Sequence, residues 1–161
     1  GQLAGWCMAQ GETHGYHFGG DVYQRIELSE NGLDCRIVPA SDPVGEGTYN
    51  AAEFTPALIK DGEKLKDSYW TGEQPRACFG TGNDGIYMLV IEGRYPDEGI
   101  RGTSVNTCSD ILLSYGCRNA LNMDGGSSAI LWYDGEYVTQ SSSSPLRYTG
   151  GRPLPNAWVY G

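Results

Sequence analysis

Three two-residue turn signals divide this chain into short β-hairpins. They are Asn31-Gly32, Asp61-Gly62 and Asp134-Gly135, and each stands between two runs of strand-forming residues. Tight hairpin turns need positive φ, which Asn, Asp and Gly adopt at the lowest cost. The spacing predicts hairpins of residues 23–30 with 33–38, 57–60 with 63–65, and 129–133 with 136–140. A fourth hairpin is predicted where residues 77–79 lead through a glycine-rich turn into residues 86–92.

One segment departs from the hairpin pattern. Residues 86–92 are almost continuously apolar, which predicts a central strand buried on both faces. Thr103 or Ser104 can cap a following helix, and Gly116 can end it. The apolar face of that helix would carry, at helical spacing, Val105, Cys108, Ile111, Leu112 and Tyr115. Residues 120–123 then predict a second buried strand, and if both strands lie in one sheet the crossover is parallel and right-handed.

These elements together predict an α+β fold. We expect a mixed, mainly antiparallel twisted sheet built from hairpins, with one strand–helix–strand crossover and a closing strand at residues 157–160. The chain of 161 residues is long enough for one domain with a genuine core, and we assign residues 1–161 to it. Residues 1–20 show no periodicity and are expected to form an irregular arm. Both histidines, His14 and His17, lie there, but no carboxylate cluster accompanies them, so we predict no metal site and no cofactor.

Charge and cysteine content exclude several classes. A net charge of −9 argues against nucleic acid as a partner, and no apolar run reaches the roughly 18 residues of a membrane span. Five cysteines without a Cys-x-x-Cys pair argue against a zinc framework. Two interpretations of the cysteines stay open. They could form disulfides, and Cys108 and Cys117 are close enough in sequence to be bridged, or they could be small core residues. After residue 70 every basic residue is an arginine, which fits either an anion pocket or ordinary surface: Arg76, Arg94, Arg101, Arg118, Arg147 and Arg152.

Two strand ends carry the residues that could support chemistry. The strand of residues 120–123 stops at Asp124-Gly125-Gly126-Ser127-Ser128, and the strand of residues 86–92 stops at Glu92-Gly93-Arg94. In a parallel pair these ends lie at the same side of the sheet, where ligand crevices form. Two carboxylates beside an arginine suit glycosyl transfer. The alternatives are a tight turn with a capping Asp124 and a structural ion pair of Glu92 with Arg94 or Arg76.

The glycine–serine run also approaches the nucleophile elbow of serine hydrolases. That motif needs a helix after the turn and a histidine later in the chain. A strand is predicted after Ser128, and the chain has no histidine beyond His17. A serine hydrolase is therefore not supported.

Four blocks of the sequence resemble a known family. Residues 74–80, 89–94, 116–129 and 150–157 are similar, in order and spacing, to blocks of the phosphodiester glycosidase domain. N-acetylglucosamine-1-phosphodiester α-N-acetylglucosaminidase and many bacterial proteins belong to this family. The resemblance covers roughly residues 55–161, and Asn122-Met123-Asp124-Gly125-Gly126-Ser127-Ser128 is its most specific part.

The resemblance implies a hydrolase that acts on carbohydrate. It would remove a sugar from a sugar-1-phosphate diester, such as a surface glycan or a teichoic-acid-like polymer, at an extracellular or cell-surface location. Asp124 or Glu92 would act as base or nucleophile on the anomeric carbon. Arg76, Arg94 and Arg152 would hold the phosphate. The other substrate-binding residues match positions of the family motif, except Ser128, which follows a matched residue. The full set is Arg76, Arg94, Asn122, Gly125, Gly126, Ser127, Ser128 and Arg152.

The sequence departs from the family pattern in two places. An early Asn-Gly-Gly-Phe-Phe-like block is absent, and residues 21–54 look divergent or remodelled. A further N-terminal segment or a second copy of the chain would then complete the site. Glu92-Gly93-Arg94 stands where Asp-Gly-Arg is usual, which lengthens the carboxylate by one methylene.

Two non-enzymatic alternatives remain open at the level of sequence. One is a glycan-binding or phosphoglycan-binding module that keeps the pocket, with Trp70, Trp132 and Tyr133 available to stack on sugar faces. The other is a phage or cell-surface structural domain in which the glycines only make turns.

Overall fold

The computed structural model describes residue 3, residues 5–143 and residues 150–160. Arg147 and the loop around Pro145 lie outside the described residues. Within these ranges there is one α-helix, α1 (Val105–Ser114). The strands are β1 (Trp6–Ala9), β2 (Glu12–Gly15), β3 (Gln24–Leu28), β4 (Cys35–Pro39), β5 (Asn50–Phe54), β6 (Ala57–Lys60), β7 (Glu63–Lys64), β8 (Arg76–Gly82), β9 (Gly85–Ile91), β10 (Cys117–Asn122), β11 (Trp132–Tyr133) and β12 (Glu136–Tyr137).

The predicted sheet-rich, mainly antiparallel α+β fold is confirmed, but the strands form two large sheets instead of one. Sheet A has the order β2-β1-β5-β3-β4, and sheet B has the order β7-β6-β10-β8-β9. Helix α1 packs on one face of sheet B, where Leu58, Cys78 and Leu112 are buried together. The other face of sheet B packs on sheet A through residues that include Ile26, Phe79 and Leu121. The result is three layers, with sheet B in the middle.

The four predicted hairpins are present. β6–β7, β8–β9 and β11–β12 are antiparallel neighbours with short turns, and Asp61-Gly62 and Asp134-Gly135 have positive φ as tight turns require. β3 and β4 also pair, but β3 ends earlier and β4 begins later than expected. The Asn31 side chain accepts hydrogen bonds from the backbone of Leu33 and Asp34, which favours a longer turn over residues 29–34.

The helix is confirmed, whereas the position of the strand before it is not. Ser104 Oγ accepts from Thr107 N (3.2 Å), and Gly116 follows the helix with a φ of +90°. β9 lies at the edge of sheet B and is half-buried throughout, so the prediction of a central strand buried on both faces was wrong. β8 lies between β9 and β10 and is antiparallel to both, so these two run in the same direction without touching. The handedness of their connection stays a prediction.

Two expectations about the chain termini need correction, and the structure favours one of the two alternatives left open for the cysteines. Residues 1–20 are not wholly irregular, because β1 and β2 form a hairpin there. Residues 157–160 form no strand; instead Trp158 stacks on Phe79 with ring centroids 3.9 Å apart. All five cysteines are free thiols, so Cys108 and Cys117 are not bridged, and both are buried core residues. Within the described residues, no helix is long and apolar enough to cross a membrane.

Sheet A contains a buried ionic cluster. Arg25 Nε donates to Glu27 Oε1 (2.7 Å), and Arg25 also lies 3.6 Å from Glu53. Arg36 Nε donates to the other Glu27 oxygen (2.6 Å). Glu53 in turn pairs with His17, whose ring stacks on Trp6. Arg25, Glu27 and Glu53 are all buried, so this cluster ties the first 20 residues to the centre of the sheet.

Candidate active site

The two predicted acidic strand ends lie at one margin of sheet B. Arg76, the first residue of β8, pairs with Ile91 at the end of β9. On the other side of β8, Met123 N donates to Ala77 O (2.8 Å) just beyond the end of β10. Because β8 is antiparallel to both neighbours, the chain leaves β9 and β10 at the same edge. Glu92 and Asp124 therefore follow strands that end at the same margin, one on each side of β8.

Asp124 is an exposed acid inside a small polar cluster. Its side chain is 60% exposed. Oδ2 accepts from Ser128 Oγ (2.6 Å) and from Arg152 Nη2 (3.2 Å). Arg152 also donates to Ser127 Oγ (3.2 Å) and to Ser128 Oγ (2.5 Å). A carboxylate, a guanidinium and two hydroxyls thus lie together at the surface, where they can form hydrogen bonds with a charged ligand.

The two glycines after Asp124 are required by close contacts. Gly126 N donates to Pro75 O (3.0 Å), which draws the loop against the start of β8. A Cβ at Gly125 would lie 2.6 Å from Pro75 O. A Cβ at Gly126, whose φ is +57°, would lie 3.1 Å from the guanidinium of Arg94. Other groups therefore lie close to both glycines, as expected: the backbone of Pro75 at Gly125 and the side chain of Arg94 at Gly126.

Arg94 is the second cation of the cluster. Its backbone has a φ of +68°, which is rare for a residue with a side chain. Arg94 Nε donates to Gln74 Oε1 (3.0 Å), so the guanidinium is held beside Gly126. Arg94 and Arg152 are both exposed, and both contact the loop of residues 124–128. Strained backbone at such a position is typical of functional sites.

Glu92 belongs to the same margin but faces a different partner. It is half-buried, and its Oε1 accepts from Gln140 N (2.8 Å). The next residue, Ser141, donates from Oγ to Ser127 O (2.9 Å). Glu92 and the Asp124 loop are therefore linked through residues 140–141. The alternative interpretation of Glu92, an ion pair with Arg94 or Arg76, is not found among the described residues.

Two predicted substrate-binding residues lie beneath the surface. Arg76 is 4% exposed and donates to the carbonyl oxygens of Thr103 (3.0 Å) and Gly72 (2.8 Å). Burial lowers the pKa of its guanidinium. Asn122 is 1% exposed and donates to Thr55 O (2.8 Å), while its Oδ1 has no partner among the described residues. Both side chains hold neighbouring backbone segments in place behind the exposed cluster.

Three residues that sequence reasoning assigned no role contact the site: Gln74, Tyr95 and Ser141. Gln74 lies inside one of the family-like blocks, and this position could have indicated that it belongs to the site. Tyr95 and Ser141 carry no local signal, because they meet only in the fold, where Tyr95 Oη donates to Ser141 O (2.6 Å). The described residues contain no group of histidine, cysteine and acidic side chains able to hold a metal ion, and His17 pairs with Glu53.

Replacing Gly125 by alanine should disturb the position of Asp124. The new Cβ would lie 2.6 Å from Pro75 O. This oxygen belongs to the backbone, which cannot move aside as the flexible end of a side chain can. We expect a loss of stability of about 1–3 kcal/mol. A displacement of the carboxylate by about 1 Å would lower any activity of the loop by about a hundredfold. Thermal unfolding and turnover measure the two effects.

Gly19→Ala is the matched control for this substitution. Apart from its chain neighbours, a Cβ added at Gly19 would have no atom within 4 Å, and Gly19 does not have a left-handed φ. The change should therefore affect neither stability nor turnover. Wild-type behaviour of the Gly125→Ala variant would show that the loop does not depend on its contact with Pro75.

Comparisons with known proteins address the fold and the family. A family model described as phosphodiester glycosidase matches residues 8–160, which includes the segment of residues 21–54 that looked divergent. The structure resembles the zebrafish N-acetylglucosamine-1-phosphodiester α-N-acetylglucosaminidase catalytic domain auto-inhibited by its pro-peptide. That match has a TM-score of 0.67 at 15% identity and covers 95% of this chain and 56% of the zebrafish chain.

A sequence relative comes from Bacillus subtilis strain 168. The SPbeta prophage-derived uncharacterized protein YomE is 27% identical over 113 residues, covering 66% of this chain and 17% of that protein. This chain thus spans less than two thirds of either relative. The family model covers nearly the whole sequence, and the chain belongs to the phosphodiester glycosidase family.

Proposed function

We propose that this domain is a glycosidase that hydrolyses sugar-1-phosphate diesters. Water replaces the phosphate oxygen at the anomeric carbon, the C1–O bond breaks, and the phosphate stays on the acceptor as a monoester. The observation that carries this proposal is the exposed Asp124 carboxylate, which accepts from Arg152 and lies in a loop whose Gly126 is close to the guanidinium of Arg94. Membership of the phosphodiester glycosidase family supports the same reaction.

The two exposed arginines suit the phosphate. A phosphodiester is anionic throughout the reaction, and its charge rises when it leaves as a monoester. Arginine donates in a planar fork that matches phosphate oxygens. Arg94 and Arg152 both reach the Asp124 loop, so they would hold the leaving group beside that carboxylate.

Asp124 is the better candidate for the base or nucleophile at C1. Its carboxylate is exposed, and Ser128 and Arg152 orient it. Glu92 is half-buried and binds the backbone of Gln140, which suits a positioning role. The phosphate is already a good leaving group, so the reaction needs no strong general acid. Arg76 and Asn122 would support the loop from behind.

The bond that breaks provides the direct test. A synthetic methyl diester of N-acetylglucosamine 1-phosphate, incubated with the protein in ¹⁸O-labelled water, should give labelled free sugar and unlabelled methyl phosphate. Label in the phosphate, with release of sugar 1-phosphate and methanol, would instead mean P–O cleavage. A panel of other sugar-1-phosphodiesters extends the search to other sugars. No sugar release from any of them would contradict the proposal.

A non-catalytic outcome is distinguishable in the same experiment. Binding of the diester without release would favour a phosphoglycan-binding module, and neither binding nor release would favour a structural domain. The prophage origin of the Bacillus relative supports a bacterial surface polymer as the natural substrate. We accordingly propose an extracellular or cell-surface site of action.

Removing the guanidinium of Arg152 should weaken substrate binding. Hydrogen bonds between charged groups contribute about 1.5–3 kcal/mol, so we expect Arg152→Ala to raise KM by about tenfold to a hundredfold. Steady-state kinetics on the methyl diester measure this change. Arg118→Ala is the control, because Arg118 is exposed at the opposite end of β10 and donates to Asp61 O (3.0 Å). Equal effects of the two variants would remove Arg152 from the phosphate site.

A further inference from the structure

The hairpin β11–β12 is built directly onto the candidate site. Its first strand follows Ser128, which donates to Asp124. Its second strand returns to Gln140, whose N–H donates to Glu92, and to Ser141, which donates to Ser127 O. Both ends of the hairpin are therefore fixed by residues of the two acidic loops. A short hairpin anchored in this way projects from the margin of the site.

One face of this hairpin is aromatic. Trp132 and Tyr137 are directly opposite each other in the antiparallel pair, so their side chains lie on the same face. They are 60% and 39% exposed. Tyr133 and Glu136 form the next pair and lie on the opposite face. The hairpin thus presents two aromatic rings on one side and a tyrosine beside a carboxylate on the other.

The aromatic face is close to the cluster around Asp124. A Cβ at Gly150 would lie 2.7 Å from the Tyr137 ring, so this ring packs directly on the backbone of Gly150. Arg152, two residues further on, donates to Asp124 and Ser128. Two residues span at most about 7 Å. The Tyr137 ring therefore packs within about 7 Å, along the chain, of the backbone of the arginine that would hold the phosphate.

We propose that Trp132 and Tyr137 form a stacking platform for a pyranose ring of the substrate. This inference rests on the proposed function, because it gives the sugar a place beside the phosphate. A sugar ring has one apolar face of C–H groups, and rigid exposed aromatic rings bind such a face at a small entropic cost. The platform is specific for carbohydrate, while Arg94 and Arg152 are specific for the anion.

The test separates sugar binding from anion binding. In the Asp124→Asn background, which slows turnover, titration calorimetry measures the affinity for N-acetylglucosamine 1-phosphate and for inorganic phosphate. Trp132→Ala should weaken sugar phosphate binding by about tenfold and leave phosphate binding unchanged. Tyr137→Phe, which keeps the ring, should bind like the parent. Tyr133→Ala, on the opposite face of the same hairpin, is the matched control.

Each outcome decides the proposal. Equal affinities of the Trp132→Ala and Tyr133→Ala variants would overturn it, as would a matching loss of phosphate affinity. Absence of sugar phosphate binding in the parent would also overturn it. Sugar release by the wild type alongside an intact Trp132→Ala affinity would reject the platform and keep the proposed function. Trp132-dependent binding without any sugar release would keep the platform and reject the proposed function.

Discussion

The Asp124→Asn variant should release sugar about a hundredfold to ten-thousandfold more slowly than the wild type, which is the usual contribution of an acid–base group. Asparagine keeps the size of the side chain and an oxygen that can accept from Ser128 Oγ. It loses the negative charge that would activate water or attack the anomeric carbon. The side chain is 60% exposed, so no buried charge is left unpaired. Turnover of the methyl diester and thermal unfolding measure activity and stability separately.

Asp134→Asn provides the matched control for this substitution. Asp134 is exposed at the β11–β12 turn with a φ of +47°, a conformation that asparagine adopts easily. This variant should keep both its activity and its fold. Full sugar release by the Asp124→Asn variant would show that Asp124 has no chemical role. Loss of activity together with unfolding would show that the carboxylate is structural.

Removal of the Glu27 charge should destabilise the fold by about 3–5 kcal/mol, because one partner of a buried ion cluster is lost. Glu27 accepts from Arg25 and Arg36, and also from Thr48 Oγ1 (3.0 Å). Glu27→Gln keeps the shape of the side chain and leaves Arg25 with Glu53 at 3.6 Å as its remaining acidic partner. Chemical denaturation of the variant measures the loss. Glu30→Gln, an exposed change in the following turn, should leave stability unchanged.

The same cluster predicts a pH dependence. Burial opposes ionisation of Glu27, but hydrogen bonds from Arg25, Arg36 and Thr48 outweigh it and hold its pKa below the ordinary value of 4.5. A lowered pKa in the folded state means that the charged form contributes stability above pH 4.5. That contribution falls as the pH drops through the folded-state pKa. The difference in unfolding free energy between wild type and Glu27→Gln should therefore shrink on acidification, and a difference that is constant down to about pH 2 would exclude this account.

Local features of the fold could be predicted from sequence because their causes are local. The Asp61-Gly62 and Asp134-Gly135 turns depend on residues that tolerate positive φ, and the helix depends on Ser104 and Gly116 at its ends. The glycines at 125 and 126 likewise indicated a close contact before its partner was known. Signals of this kind lie within a few residues of the element that they specify.

Long-range features could not be predicted in the same way. The apolar run of β9 fits a central strand, yet its place at the sheet edge follows from how β8 and β10 pair across about forty residues. Nothing near Arg76 in the sequence indicates its burial, and only the fold surrounds it with the carbonyl groups of residues 70, 72 and 103. The division into two sheets depends equally on pairings between distant segments.

The residues just before β8 influence the Arg94 loop and the Asp124 loop at once. Gln74 binds Arg94 through its side chain, and Pro75 accepts from Gly126 through its carbonyl oxygen. Neither residue carries a reacting group. Change at Gln74 and Pro75 would therefore alter the spacing between Arg94 and the Asp124 loop without replacing either functional side chain. Natural selection could adapt one catalytic apparatus to different polymers by varying this approach segment alone.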